Sequence, residues 1–128
     1  MILDTSILVE IDRGNNIEKI EKLDEEGSHS ISAVTVSEFY TGVNMREEPE
    51  EDKAERLISR ARVMPVEEEI ARKAGELIAR KKQENLKLGL NDIYITATAA
   101  ERDKTVITKD PEDFNEIEEI EIEDWDNY

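Results

Sequence analysis

Four acidic residues of this chain share one setting: a short apolar run, an acid, then the start of a helix. They are Asp4 after Met1-Ile2-Leu3, Glu38 after Ile31-Ser32-Ala33-Val34, Asp92 opening an apolar helix, and Asp110 after Val106-Ile107-Thr108. In an open α/β sheet the carboxyl ends of parallel strands share one edge, and ligands bind in the crevice outside it. Acids delivered to that edge converge although they are far apart in sequence. Converging carboxylates without cationic partners repel one another, and the usual remedy is a hard divalent cation with oxygen ligands, Mg²⁺ or Mn²⁺. Such a cation binds a phosphate oxygen and lowers the pKa of a bound water. The chemistry such a cation supplies is metal-assisted, and it needs no histidine base. The sole histidine, His29, lies just before the second predicted strand and is read as structural or solvated.

Each acid also has a purely structural reading. Asp4 could cap the helix that follows it. Thr35-x-x-Glu38 matches a capping box. Asp92 falls in a first turn, where the helix dipole favours a carboxylate. Asp110 followed by Pro111 is a cap with proline at the first helical position, and Asp113 stands where it could complete that cap. Two features favour convergence over four separate caps. Asp4 follows an almost purely apolar strand, which draws its carboxylate into the sheet edge. Asp92 opens a helix with no polar face to solvate it, and a buried carboxylate needs a partner. Lys87 and Arg102, the nearby bases, are not placed to serve both.

These acids need elements to position them, and the chain alternates short strands with helices. Met1 to Asp4 reads as the first strand, with Thr5 or Ser6 capping a short helix that ends near Gly14. Ile17, Ile20 and Leu23 recur at helical spacing before Gly27. Ser30 to Val34 is the second strand, and Thr35 opens the next helix, with Phe39 and Val43 inward. Ala54, Leu57 and Ile58 mark a further helix, and Arg62 to Val66 a third strand with Pro65 near its end, as at a sheet edge. Ile70, Ala74, Leu77 and Ile78 define a long amphipathic helix from about Glu67 to Asn85. Asn91 caps a helix that is apolar nearly all round, and such helices are buried. Thr105 to Thr108 is the fourth strand, and a short last strand lies within Ile117 to Ile122. Strands alternating with helices predict a parallel sheet covered on both faces. The expected fold is α/β: one three-layer α/β/α domain over residues 1–128, with a central, mainly parallel sheet of four to five strands.

The chain has 128 residues and no cysteine, so disulfides and thiolate metal sites are excluded. Its apolar stretches are too short to span a bilayer, and it opens directly on Ile2-Leu3-Asp4 without a basic leader region; a cytoplasmic protein is expected. The net charge is −16, from 33 acids against 17 bases, which argues against a general nucleic-acid binder. The bases are concentrated, however. Arg60 to Lys87 carries eight bases against five acids. Within that stretch Arg72, Lys73, Arg80 and Lys81 are candidates for guiding a polyanion backbone; the alternative is a solvated helix face paired with neighbouring Glu.

Taken together, Ile2-Leu3-Asp4-Thr5-Ser6, Ile31 to Val43, Asn91 to Ala99 and Thr108-Lys109-Asp110-Pro111-Glu112-Asp113-Phe114 resemble the motifs of the PIN domain. In particular they are similar to the VapC toxin branch of the VapBC toxin–antitoxin systems, in family order from Met1 to Phe114. The resemblance implies a PIN-like fold and a Mg²⁺- or Mn²⁺-dependent endoribonuclease. It also implies an RNA substrate, homodimers, and a cognate antitoxin that inserts a peptide into the active-site groove. Carried over, the metal-binding acids are Asp4, Glu38, Asp92 and Asp110, with Asp113 as the alternative fourth acid; Asp110 is preferred because it lies closer to the strand end. Thr5 or Ser6 and Thr108 match small hydroxyl positions that hydrogen-bond within such sites. The acidic tail from Glu116 to Asp126 departs from the pattern.

Other classes fit less well. A haloacid-dehalogenase-type phosphotransferase needs a second Asp two residues after the first, and Ser6 stands there. A receiver domain needs an Asp at the end of its third strand, where the chain reads Val63-Met64-Pro65-Val66. A nucleotide cofactor would call for a glycine-rich phosphate loop, and none is present. The non-enzymatic alternative is a PIN-fold RNA or protein interaction module with weak or no activity.

Overall fold

The computed structural model describes residues 1–102 and 105–128. Five strands, β1 (Ile2–Leu3), β2 (Ser30–Ser32), β3 (Arg62–Met64), β4 (Thr105–Thr108) and β5 (Glu121–Asp124), form one parallel sheet in the order β3-β2-β1-β4-β5. β1 lies at the centre, with Ile2 paired to Ser30 on one side and to Val106 on the other. The chain builds outward from β1 through β2 to β3, then returns to β1's other side with β4 and β5. The order therefore reverses between β1 and β4, and in open α/β sheets a crevice forms at that point beyond the carboxyl ends of the strands.

Six helices cover the sheet: α1 (Thr5–Arg13), α2 (Ile17–Glu26), α3 (Ala33–Asn44), α4 (Glu51–Ile58), α5 (Glu68–Glu84) and α6 (Leu90–Glu101). Side chains alternate across the strands. Ile2 and Val106 face a core with Ile70 and Leu77 of α5 and Ile93 and Ile95 of α6. Leu3 and Ile107 face a second core with Ile7 and Leu8 of α1, Phe39 of α3 and Leu57 of α4. The three-layer expectation holds, and β3 with Pro65 just beyond it is an edge strand. No helix among the described residues is long and apolar enough to cross a membrane.

Element boundaries differ from the sequence expectation at four places that bear on the site. β1 stops at Leu3, and Asp4 caps α1 in place of Thr5 or Ser6, its carboxylate accepting from the Thr5 N–H. β2 stops at Ser32, whose hydroxyl caps α3 by accepting from the Val34 N–H at 3.1 Å. The capping box at Thr35 is therefore not formed: Thr35 lies inside α3 and fully buried. Gly89 caps α6, leaving Asn91 exposed in the first turn. Asp110 precedes a 3-10 turn (Pro111–Phe114) but its side chain makes no cap bond.

The acidic tail is an ordered part of the fold. β5 pairs with β4 from Glu121 opposite Thr105 to Asp124 opposite Thr108. The strand ends two residues beyond its expected place, because Ile117 and Ile120 are buried in the preceding loop. The turn Trp125–Asn127 then drives Trp125 into the core that holds Leu3 and Ile7. Tyr128 stacks on Trp125 with ring centroids 5.6 Å apart, and the Lys22 ammonium stands 4.0 Å from the Tyr128 centroid.

Candidate active site

Asp4 is the hub. Its backbone N–H donates to the Ile107 carbonyl at 3.0 Å, which seats it between the ends of β1 and β4. One carboxylate oxygen, Oδ1, accepts from the Thr5 N–H at 2.8 Å. The other, Oδ2, accepts from the Ser6 hydroxyl at 3.0 Å and from the Thr108 hydroxyl at 2.6 Å. Asp4 is buried, at 6 % exposure. Burial raises its pKa above the ordinary value, and the bonds from Thr108, Ser6 and Thr5 work against that rise. Of the candidate hydroxyls, Ser6 and Thr108 thus bond to Asp4. Thr5 Oγ1 also donates to Glu38 Oε1 at 2.8 Å, tying α1 to α3. Ser6 Oγ accepts from the Lys109 N–H at 3.2 Å, and Thr108 Oγ1 from the Asp110 N–H at 3.0 Å.

The acids meet at this edge. Asp92, half-buried in the first turn of α6, has its pKa pushed up to about 7. Burial is the main cause, followed by the charges of Asp4, Glu38, Asp113 and Asp110. The helix dipole favours its charged form but does not overcome these terms. Asp113 is also raised, by burial and then by Asp110, Glu112 and Asp4. The charges of both Asp113 and Asp110 bear on Asp92. Both belong to the segment that follows β4.

The donor set suits a hard cation. It is all oxygen, and among the described residues none of the five carboxylates is ion-paired with Lys or Arg. Nor do three acidic groups among the described residues stand in a ready-made metal cage.

The four candidate phosphate guides are placed differently. Arg72 pairs with Glu68 at 3.2 Å, and Arg80 with Glu119 at 2.5 Å. Lys73 lies near Glu76 and Glu119, and Lys81 donates to the Leu86 carbonyl at 3.0 Å. No contact among the described residues joins any of them to the acid cluster. The pairing with Glu119 was invisible in the sequence because it joins α5 to a loop 39 residues away. His29 is structural as read: its Nε2 meets the Leu23 carbonyl at 2.5 Å. Two residues that sequence reasoning passed over stand beside the site. Lys109 forms an ion pair at 2.8 Å with Glu10, a buried carboxylate of α1. The available signal was the spacing of Ser6 and Glu10, four apart on one helix face.

A parallel sheet covered on both faces by helices, with Asp4 braced by hydroxyls at its switch point, is a PIN-like α/β/α arrangement. The PIN domain profile matches residues 1–120, and the chain belongs to the PIN domain family. It is 25% identical over 127 residues to ribonuclease VapC2 of Haemophilus influenzae, covering 97% of this chain and 96% of that protein. It is 34% identical over 84 residues to ribonuclease VapC10 of Mycobacterium tuberculosis, covering 66% of this chain and 61% of that one. A chain of DNA-bound VapBC from Salmonella typhimurium superposes with a TM-score of 0.87 at 28% identity, covering 97% of this chain and 96% of its own.

Proposed function

We propose that this chain is a Mg²⁺- or Mn²⁺-dependent endoribonuclease, the toxin of a cytoplasmic toxin–antitoxin pair. The observation that carries this reading is the cluster at the β1–β4 edge: a braced, buried Asp4 within electrostatic reach of Asp92, Glu38, Asp110 and Asp113. Relatives named ribonuclease VapC support RNA as the substrate, and the likeness to a VapBC complex supports a cognate antitoxin as partner. A homodimer belongs to the same reading.

Asp4 and Asp92 would hold the cation, with Glu38 and one of Asp110 and Asp113 completing the charge around it. When bound, the cation would polarise a phosphate oxygen and lower the pKa of its water, which supplies a nucleophile at neutral pH. The chain's own residues set the stage. Thr108 and Ser6 fix the Oδ2 atom of Asp4, and Thr5 holds Glu38 at Oε1. The Asp92 carboxyl, pushed up to about 7, would hold a cation in its deprotonated form.

The test is cleavage of host RNA by purified, antitoxin-free protein in Mn²⁺, Mg²⁺ or EDTA, beside Asp4→Asn. The wild type should cleave with a divalent cation and not in EDTA. Residues that merely support a metal ligand cost 10–100-fold when changed, so Asp4→Asn should lose roughly 100-fold or more. Folded protein that cleaves with neither metal points instead to an inactive interaction module.

A further inference from the structure

The site acids repel one another, and two of them, Asp110 and Asp113, lie on the segment between β4 and β5. That segment is held to the sheet edge by three successive residues. Thr108 donates to Asp4 Oδ2 at 2.6 Å. The Lys109 N–H donates to Ser6 Oγ at 3.2 Å, while its ammonium reaches Glu10 Oε1 at 2.8 Å. The Asp110 N–H donates back to Thr108 Oγ1 at 3.0 Å. Ser6 and Glu10, four residues apart on α1, stand one above the other on the same helix face. Lys109 thus grips one stripe of α1 with its backbone and its side chain together.

Glu10 is the unusual member of this set. Its side chain is only 4% exposed, and a buried charge requires a partner. Lys109 supplies it, with a longer contact of 3.4 Å from Asn16 Nδ2. The Lys109 side chain is partly exposed, and an ion pair with an exposed partner contributes little net stability, so stability alone does not explain its presence. What the pair does provide is a fixed spacing between α1 and the segment after β4. It also engages an ammonium that would otherwise be available to neutralise the adjacent Asp110.

We propose, resting on the ribonuclease reading above, that Glu10 and Lys109 are positioning residues. They anchor the segment after Thr108 on α1 and so set where Asp110 and Asp113 stand relative to Asp4 and Asp92. They act through the carboxylates they place.

The deciding variant combines Glu10→Gln with Lys109→Met, which removes both charges together and strands neither. Its counterpart is Lys109→Arg, which keeps the pair. The readouts are Mn²⁺ affinity of the RNA-free protein, kcat and KM for cleavage, and melting temperature. With the fold retained, the double variant should bind Mn²⁺ about tenfold more weakly and lose about tenfold in kcat, with KM changed by less than about twofold. Lys109→Arg should stay within about twofold of wild type in all readouts. Glu10→Gln alone should already show most of the loss, because partners in one interaction are not additive; it carries the same expectation if the double variant does not fold. Mn²⁺ affinity and kcat at wild-type levels in the charge-free variant overturn the inference while leaving the ribonuclease intact. A wild type that neither binds Mn²⁺ nor cleaves overturns the ribonuclease reading, and this inference with it.

Discussion

Asp92 has an ordinary pKa near 3.8 and is pushed up to about 7 in the folded chain. Between those values the folded protein holds a proton that the unfolded chain has released. Stability from this group therefore falls as pH rises from about 4 to about 7, and the penalty is fully present above that. Asp92→Asn should accordingly stabilise the metal-free protein at pH 8, by on the order of 1–2 kcal/mol once its partial exposure is allowed for. At pH 4 the two proteins should differ little. Urea denaturation in EDTA at both pH values checks this, and an unchanged pH slope in the variant would remove Asp92 from the cluster. The same variant should lose cleavage, so stability and activity would move in opposite directions. Thr108 is the converse case. Thr108→Val keeps the shape but removes the hydroxyl that donates to Asp4 at 2.6 Å and accepts from the Asp110 N–H. Cleavage should drop about tenfold or more, seen as a fall in kcat, because a bond bracing the proposed metal ligand Asp4 is lost.

At the scale of elements, the capping residues carried the most misleading sequence signals. The run Ile31 to Val34 reads as strand, yet Ser32 closes β2 and opens α3 with its own hydroxyl. A helix start three residues earlier puts Glu38 in the second turn, free of capping duty, where Thr5 can orient it. The local rule thus failed at the residue the site uses. β5 and its turn make the opposite point. Their acidic composition suggests a solvated tail, whereas Trp125 is fully buried against Ile7 and Leu8 of α1 in one core. Trp125→Ala should cost roughly 3–5 kcal/mol in chemical denaturation, as for other fully buried aromatics. A loss below about 0.5 kcal/mol, typical of a surface site, would place the tail outside the cooperative core.

For the molecule as a whole, the net charge of −16 and an acid cluster at the sheet edge act together. Both oppose folding through repulsion, and on the proposed reading a bound divalent cation would relieve the repulsion within the cluster. Ligand binding to the folded state alone stabilises by about 2.7 kcal/mol at a hundredfold excess over Kd. Mn²⁺ should therefore raise the melting temperature of the wild type and EDTA should reverse it. Asp4→Asn should respond much less, which separates binding at the site from general screening of acidic surface. Monovalent salt supplies the control, since screening alone acts on both proteins alike.

The sequence by itself determined the layer architecture and the strand and helix order, and it singled out the candidate acids. These follow from periodicity and from acids placed after apolar runs, which are local features of the chain. It also placed Thr5, Ser6 and Thr108 near the chemistry, because each adjoins an acid. Only the tertiary structure decided which hydroxyl braces which carboxylate, that Asp113 shares the cluster with Asp110, and that Arg80 and Lys73 are committed to Glu119. It alone joined Glu10 to Lys109, 99 residues away. That pairing depends on the parallel pairing of β1 with β4, which brings the residues after both strands to one edge of the sheet.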